Sequence, residues 1–355
     1  MGVNQLSRKT RQSNIELLRI ISMFLVLVVH ANFWALGRPT SLDMQMSPLA
    51  SYTRFFIESL AIVCVNVFVL ISGWFGIKPS VKGFSRFAFQ CLFFLIGHYV
   101  VGLAIGASRL DIKGIAGCFC LLSNHWFIKS YVGLYILAPI LNSFVKVADK
   151  KQLKLLLIVF FLYQTIYGWS GAAAFFVNGY STMSFMGLYL LGRYLNLYGN
   201  TQSTPPYIWI CIYLTCGIVN TILAPVVPFM DLYAYLSPVV IIASVSLFLG
   251  FVNLKIRPNK TINWIAASSF AIFLFHSNPN GMRYVFKNTI ATIYSSTDGI
   301  LCLFTIGLFL LAISAVAIIL DQIRIAIWNL FCRFIDFICK MNSRSEAFWN
   351  YKSDV

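Results

Sequence analysis

Asn14-Ile-Glu-Leu-Leu-Arg-Ile-Ile-Ser-Met-Phe-Leu-Val-Leu-Val-Val-His-Ala-Asn32 reads as an apolar helix of membrane-spanning length, with an arginine near one end and a histidine deep inside. At 100° per residue, the step from Arg19 to His30 is three turns plus about 20°, so both side chains share one helix face. Along the axis they stand roughly 16 Å apart, about half of the ~30 Å hydrocarbon core. Ionisable groups at that depth are costly and turn toward protein interior or a watery cavity, which makes the pair a candidate site. A snorkelling arginine plus a histidine bonded to a neighbouring helix is the structural alternative.

Composition agrees with a membrane solvent. The chain is 59% hydrophobic and 11% charged, with a mean hydropathy of +0.78. Long runs that are apolar on all sides exclude an outer-membrane barrel, whose strands alternate. The expectation is an all-α, polytopic integral membrane bundle. The net charge of +16 sits in short loops between apolar runs, which favours topogenic signals and anionic lipid or ligand phosphate over nucleic acid. Nine scattered cysteines form no CxxC pair; Cys118 and Cys120 are the only close ones, and no metal site is expected. Arg8-Lys9-Thr10-Arg11 before an apolar run resembles a secretory signal. The run is long, however, and lacks a small-x-small cleavage site, so an uncleaved first span is expected.

Ten spans are expected, at about 15–36, 54–76, 86–106, 126–145, 153–170, 181–198, 206–226, 232–252, 263–279 and 299–320. With the N-terminus inside, alternate loops place 20 of the 27 lysines and arginines on the cytoplasmic side and six outside, so both termini are expected in the cytoplasm. Asp321–Met341 keeps Asn329, Arg333, Asp336 and Lys340 on one stripe, as in a helix continuing from the last span or lying in the interface. The expected organisation is a single transmembrane domain over 1–341 and a short cytoplasmic tail over 342–355. No Walker loop or GxGxxG fingerprint is present, which argues against an ATP-driven pump.

This topology puts Arg19 in the cytoplasmic half and His30 in the middle or outer half. Lys78, Lys82 and Arg86 share the cytoplasmic side with Arg19 and offer a landing surface for nucleotide phosphate, although positive-inside bias also explains them. Glu58, His125, Trp126, His276 and Asn278 fall toward the outer side. Glu58 is the nearest candidate acid for His30, or a partner of Arg54 one turn away. Glu16 is spaced to pair with Arg19. His98 reads as a core histidine. A neutral imidazole at position 30 can take a hydroxyl proton as the oxygen attacks a thioester, or can itself be acylated transiently.

At these residues the chain resembles membrane-bound acyltransferase family 3, which is marked by an arginine, ten residues and a histidine on the first span. Val65-Asn-Val-Phe-Val-Leu-Ile-Ser-Gly-Trp74 is similar to that family's second-span motif. Trp126-Phe127 with Tyr131, Tyr135 and Pro139-Ile-Leu-Asn142 resembles its fourth span, and Ser269-Phe-Ala-Ile-Phe-Leu-Phe-His276 its late span closing on histidine. Lys78 and Lys82 stand where many members carry arginine; lysine keeps the charge and loses the bidentate fork. The resemblance implies transfer of an acyl group, most often acetyl, from cytoplasmic acetyl-CoA or another acyl-CoA to a hydroxyl of a cell-envelope polysaccharide or lipid-linked glycan, in the inner (plasma) membrane. It implies that Arg19 holds the donor and that His30 acts at the transferring carbonyl. His125, Trp126, His276 and Asn278 lie on the acceptor's route. A transporter or flippase of envelope saccharides is the alternative; it predicts internal symmetry, and no repeat is evident.

Overall fold

The computed structural model describes residues 11–119, 125–171, 173–199, 204–227, 230–278 and 282–352, with side chains as far as residue 338. Arg8, Lys9, Cys120, Pro228, Asn280, the side chain of Lys340 and the last three residues of the expected tail lie outside the described residues. The regular structure of the described residues is all helical, with no strand among them. The first helices are α1 (Ser13–Val29), α2 (Ser41–Met46), α3 (Pro48–Ala61), α4 (Cys64–Phe75) and α5 (Val81–Ala104). Then come α6 (Ile112–Gly117), α7 (Trp126–Val147), α8 (Lys150–Tyr163), α9 (Thr182–Tyr198) and α10 (Pro206–Leu223). The last are α11 (Pro238–Val252), α12 (Lys260–Ala267), α13 (Ser269–His276), α14 (Met282–Ser296) and α15 (Gly299–Lys352).

Helix starts follow local chemistry. Ser80, Asp149, Ser181 and Asn259 accept from backbone N–H groups at the starts of α5, α8, α9 and α12. Proline opens α3, α10 and α11, where its missing N–H costs nothing.

Among the described residues, seven helical stretches are long and apolar enough to cross a membrane: Ser13–Trp34, Pro48–Phe75, Val81–Ala104, Trp126–Val147, Lys150–Ser170, Pro206–Leu223 and Gly299–Ile338. The chain is a multi-pass membrane protein. The other three expected spans coincide with shorter pieces: α9 with 17 residues, α11 with 15, and α12 and α13 with eight each, separated at Ser268. The last helix runs on past residue 320 to Lys352, as the polar stripe anticipated.

One boundary is corrected. The expected eighth span began at 232, but the helix starts at Pro238 and residues 232–237 form buried turns. Asp231 Oδ1 accepts from the backbone N–H of Tyr233 at 3.1 Å, and Nδ2 of Asn66 donates to the Tyr235 carbonyl at 2.7 Å. Irregular backbone in an apolar setting needs such internal partners, and hydropathy does not see them.

The first helix is the hub. Its buried stripe of Ile15, Leu18, Ser22, Val26 and Val29 packs against α3, α4, α11, α12, α13 and α15. Helices α4 and α9 approach backbone to backbone: a Cβ on Gly73 would collide with the backbone of Tyr189, and one on Gly192 with the backbone of Leu70. Small residues allow this backbone approach in membranes. The loop after α4 is fastened by two tyrosines and an asparagine. Tyr189 Oη accepts from the Ile77 N–H at 3.0 Å and donates to Asn142 Oδ1 at 2.6 Å, while Asn142 Nδ2 donates to the Ile77 carbonyl at 2.8 Å. Tyr135 Oη accepts from the Ser80 N–H at 2.9 Å and donates to its carbonyl at 3.1 Å.

Candidate active site

At His30 the first helix widens from α to π geometry, over His30–Trp34. Such bulges are rare and often accompany functional sites. The extra residue in the turn brings Trp34 against the His30 ring, centroids 5.0 Å apart, and leaves Asn32 buried facing α3.

His276 ends α13 and stands behind His30, fully buried. Its Nδ1 lies 2.6 Å from the Ile272 carbonyl, and its Nε2 lies 2.7 Å from Nδ1 of His30. These partners assign the tautomers. A carbonyl only accepts, so Nδ1 of His276 carries a proton and, in the neutral ring, Nε2 accepts. Nδ1 of His30 therefore donates. Nε2 of His30 makes no hydrogen bond among the described residues and is left as the basic nitrogen of a side chain that lines a cavity.

That cavity, of about 360 Å³, is walled by His30, Phe33, Trp34, Arg38, Glu58, His125, Trp126, Tyr180, Asp231, Tyr233, Tyr235 and Arg283, among others. Flat aromatic faces alternate with groups of both charges. Arg38 lies over the rings of Tyr233 and Phe55, at 5.4 and 5.8 Å. Arg283 and Lys287 of α14 lie over Trp34, at 5.5 and 4.9 Å. Trp126 packs edge-on against Tyr180 with centroids 4.4 Å apart.

Toward the other end of α1 a second cavity, of about 330 Å³, is lined by Arg11, Glu16, Arg19, Ser72, Arg86, Gln90, Tyr131, Ser269 and Arg324, with Phe68, Phe87, Phe127 and Phe270. Arg19 stands 3.8 Å from Glu16, the pairing that the spacing suggested. Between the two cavities is a small void of about 20 Å³. It shares His30, Trp126, Tyr235 and Phe273 with the first and Phe68 and Phe127 with the second. The cavities thus approach each other through an aromatic neck, and His30 stands on its rim.

The expected residues sort accordingly. Arg19 and Arg86 line the arginine cavity; Lys78 and Lys82 are exposed and line neither cavity. His30, Glu58, His125 and Trp126 line the other. Glu58 bonds neither His30 nor Arg54. Its Oε2 accepts from Asn32 Nδ2 at 3.0 Å, and Asn32 Oδ1 accepts from Arg54 Nε at 3.1 Å. His276 and Asn278, read as facing the acceptor, are fully buried and off the cavity wall; Asn278 reaches the Phe94 carbonyl at 3.4 Å. His98, read as a core histidine, is half-buried and bonds the Phe94 carbonyl of its own helix at 2.7 Å.

The sequence reading passed over Tyr233 and Tyr235 because they fell inside an expected span, and over Asp231 because it fell in the short loop before that span. It passed over Arg324 because the residue follows the last apolar run. The pairing of Asp321 with Arg324 at i,i+3 was the available signal.

A sequence model of the acyltransferase domain of acyltransferase family 3 matches residues 12–320. No curated protein and no solved structure matches the chain.

Proposed function

Because the chain belongs to acyltransferase family 3, we propose that this membrane acyltransferase moves an acyl group, acetyl foremost, from cytoplasmic acyl-CoA to a hydroxyl of a cell-envelope polysaccharide or lipid-linked glycan. The arginine cavity is the donor's side and faces the cytoplasm, in keeping with the charge asymmetry of the loops. The cavity of aromatic and charged residues is the acceptor's side.

The observation that carries this reading is the position of His30 on the neck where the two cavities approach, with Nε2 unbonded. A thioester reaching the neck from the arginine side and a hydroxyl arriving from the other side meet at that nitrogen. Nε2 removes the hydroxyl proton as the oxygen attacks the thioester carbon, and the imidazolium is held by the Nδ1–H bond to His276. The carbon–sulfur bond breaks as the tetrahedral intermediate collapses, and the proton passes from Nε2 to the departing sulfur. Arg19 holds the donor from below with a guanidinium suited to phosphate or carbonyl oxygen. Glu58 and Asp231 offer acceptors to sugar hydroxyls, and Trp126, Tyr180 and Tyr235 offer apolar faces.

Mass spectrometry of envelope glycans from cells with and without the gene tests the proposal and identifies acceptor and acyl group together. The expected result is an acyl group present only with the gene. Two cavities parted by an aromatic neck also suit a carrier of envelope saccharides, and a carrier leaves the mass of the glycan unchanged.

A further inference from the structure

Arg324 lies just beyond the residues matched by the family, on the long helix α15, and it is almost completely buried. A cation in such a place needs partners on every side. Asp321 supplies two of them: Nε donates to Oδ1 and Nη2 to Oδ2, each at 2.8 Å. The carboxylate is steadied in turn by Gln90 of α5, whose Nε2 donates to Oδ1 at 3.0 Å. This two-point fork fixes the guanidinium plane. Nη1 remains, buried and without a hydrogen-bond partner among the described residues, on a side chain that lines the arginine cavity.

Three more guanidiniums, from Arg11, Arg19 and Arg86, line the same cavity, and among the described residues Glu16 is the one carboxylate that lines it. Asp321 offsets Arg324 from behind. The wall therefore has a surplus of positive charge around a recess of about 330 Å³, gathered from the N-terminal segment, α1, α5 and α15. Like charges so arranged repel one another until an anion joins them. Arg11, Arg19 and Arg86 are part-exposed or exposed; of the four, Arg324 alone is buried and held by a two-point fork.

We propose that Arg324 is a phosphate-binding residue of this cavity, its pre-oriented Nη1 donating to an oxygen of a phosphate or diphosphate group, which the other arginines then close around. The inference rests on the reading of this cavity as the donor's side, where the diphosphate of an acyl-CoA is the phosphate in question. It assigns binding energy to a residue on the last helix, and it explains why a buried ion pair is retained where apolar residues would pack as well.

The test is calorimetric titration of the purified full chain in phosphatidylcholine nanodiscs with CoA, which carries the phosphates without an acyl group, and separately with inorganic pyrophosphate. Arg324→Gln leaves the Asp321 carboxylate buried with only Gln90 beside it and can unfold the helix end, so the paired variant Asp321→Asn with Arg324→Gln is measured beside it, with thermal midpoints for both. The expected result is a loss of at least tenfold in affinity for both probes in the paired variant, at a midpoint within two degrees or so of wild type, roughly the scatter of small surface changes. Affinity within twofold of wild type at a matched midpoint overturns the proposal and leaves Arg324 a structural residue. Pyrophosphate binding that depends on Arg324, with no binding of CoA, keeps the phosphate site and sinks the acyl-CoA reading of the cavity. No binding of either probe to wild type overturns both. Repeating the titration in discs containing phosphatidylglycerol separates the sources of phosphate, since a lipid headgroup in the site lowers the apparent affinity for CoA.

Discussion

Nδ1 of His30 lies 2.7 Å from Nε2 of His276, whose own Nδ1 lies 2.6 Å from the Ile272 carbonyl. A backbone acceptor in α13 thereby decides which nitrogen of a ring in the first helix is basic. No carboxylate is needed for this, and Glu58, the acid that the sequence offered, bonds Asn32 instead.

Replacing His276 removes that control. His276→Phe keeps the ring volume against Phe273 and Phe286 and frees His30 to take either tautomer. We expect kcat to fall about 10²-fold, the lower end of what a positioned base contributes, with the KM for acyl-CoA within about threefold. His276→Gln, whose amide oxygen can accept from Nδ1, is expected to recover part of the loss. Equal losses in the two variants would point to packing rather than to tautomer control.

His30→Ala is expected to lower kcat by about 10²- to 10⁴-fold while CoA still binds, because the arginine cavity lies beyond the neck. Steady-state kinetics beside a binding titration checks both halves. Loss of binding in parallel with turnover would move His30 from the chemistry to the donor site.

Arg19→Lys keeps the charge beside Glu16 and gives up the planar fork. The KM for acyl-CoA should rise about tenfold, equivalent to about 1.4 kcal/mol, with the KM for the glycan unchanged. A rise confined to the glycan would mean that the cavities have been assigned to the wrong substrates.

Glu58→Gln preserves an oxygen for Asn32 and so keeps the contact with Arg54 in place. A change of less than about fivefold in kcat is expected, the main effect falling on the KM of the acceptor. A drop as deep as that of His276→Phe would restore Glu58 as the acid serving His30.

Gly73→Ala tests the fold rather than the chemistry. Its methyl group meets the backbone of Tyr189, which cannot swing aside as a side chain would. Overpacking of this kind costs about 1–3 kcal/mol, visible as a lowered thermal midpoint in detergent. An unchanged midpoint would mean that α4 and α9 are not so closely joined.

The helical membrane class was legible because long apolar runs leave few alternatives. The pair of Arg19 and His30 was legible because ionisable groups are conspicuous within them. The Ser72-Gly73 motif and the Tyr135 and Asn142 positions could be quoted from sequence, but their work could not. Gly73 serves a contact with α9, more than a hundred residues away, and Tyr135 and Asn142 serve the loop after α4. Three features stayed hidden for separate physical reasons. Hydropathy cannot separate a buried turn from a helix, so Tyr233 and Tyr235 were taken as span residues. It cannot register one extra residue in a turn, so the π segment at His30 was missed. A charge past the end of an apolar run looks topogenic whether it meets water or, like Arg324, is folded back onto Asp321 and α5.

The most direct test of the central claim supplies isotope-labelled acetyl-CoA to inverted membrane vesicles, whose cytoplasmic face is outward, and follows the label into glycan. With wild-type protein the label is predicted to appear on glycan hydroxyls, and with His30→Ala at the same membrane level it is predicted to be lost. Label entering glycan at the wild-type rate in His30→Ala vesicles would contradict the account.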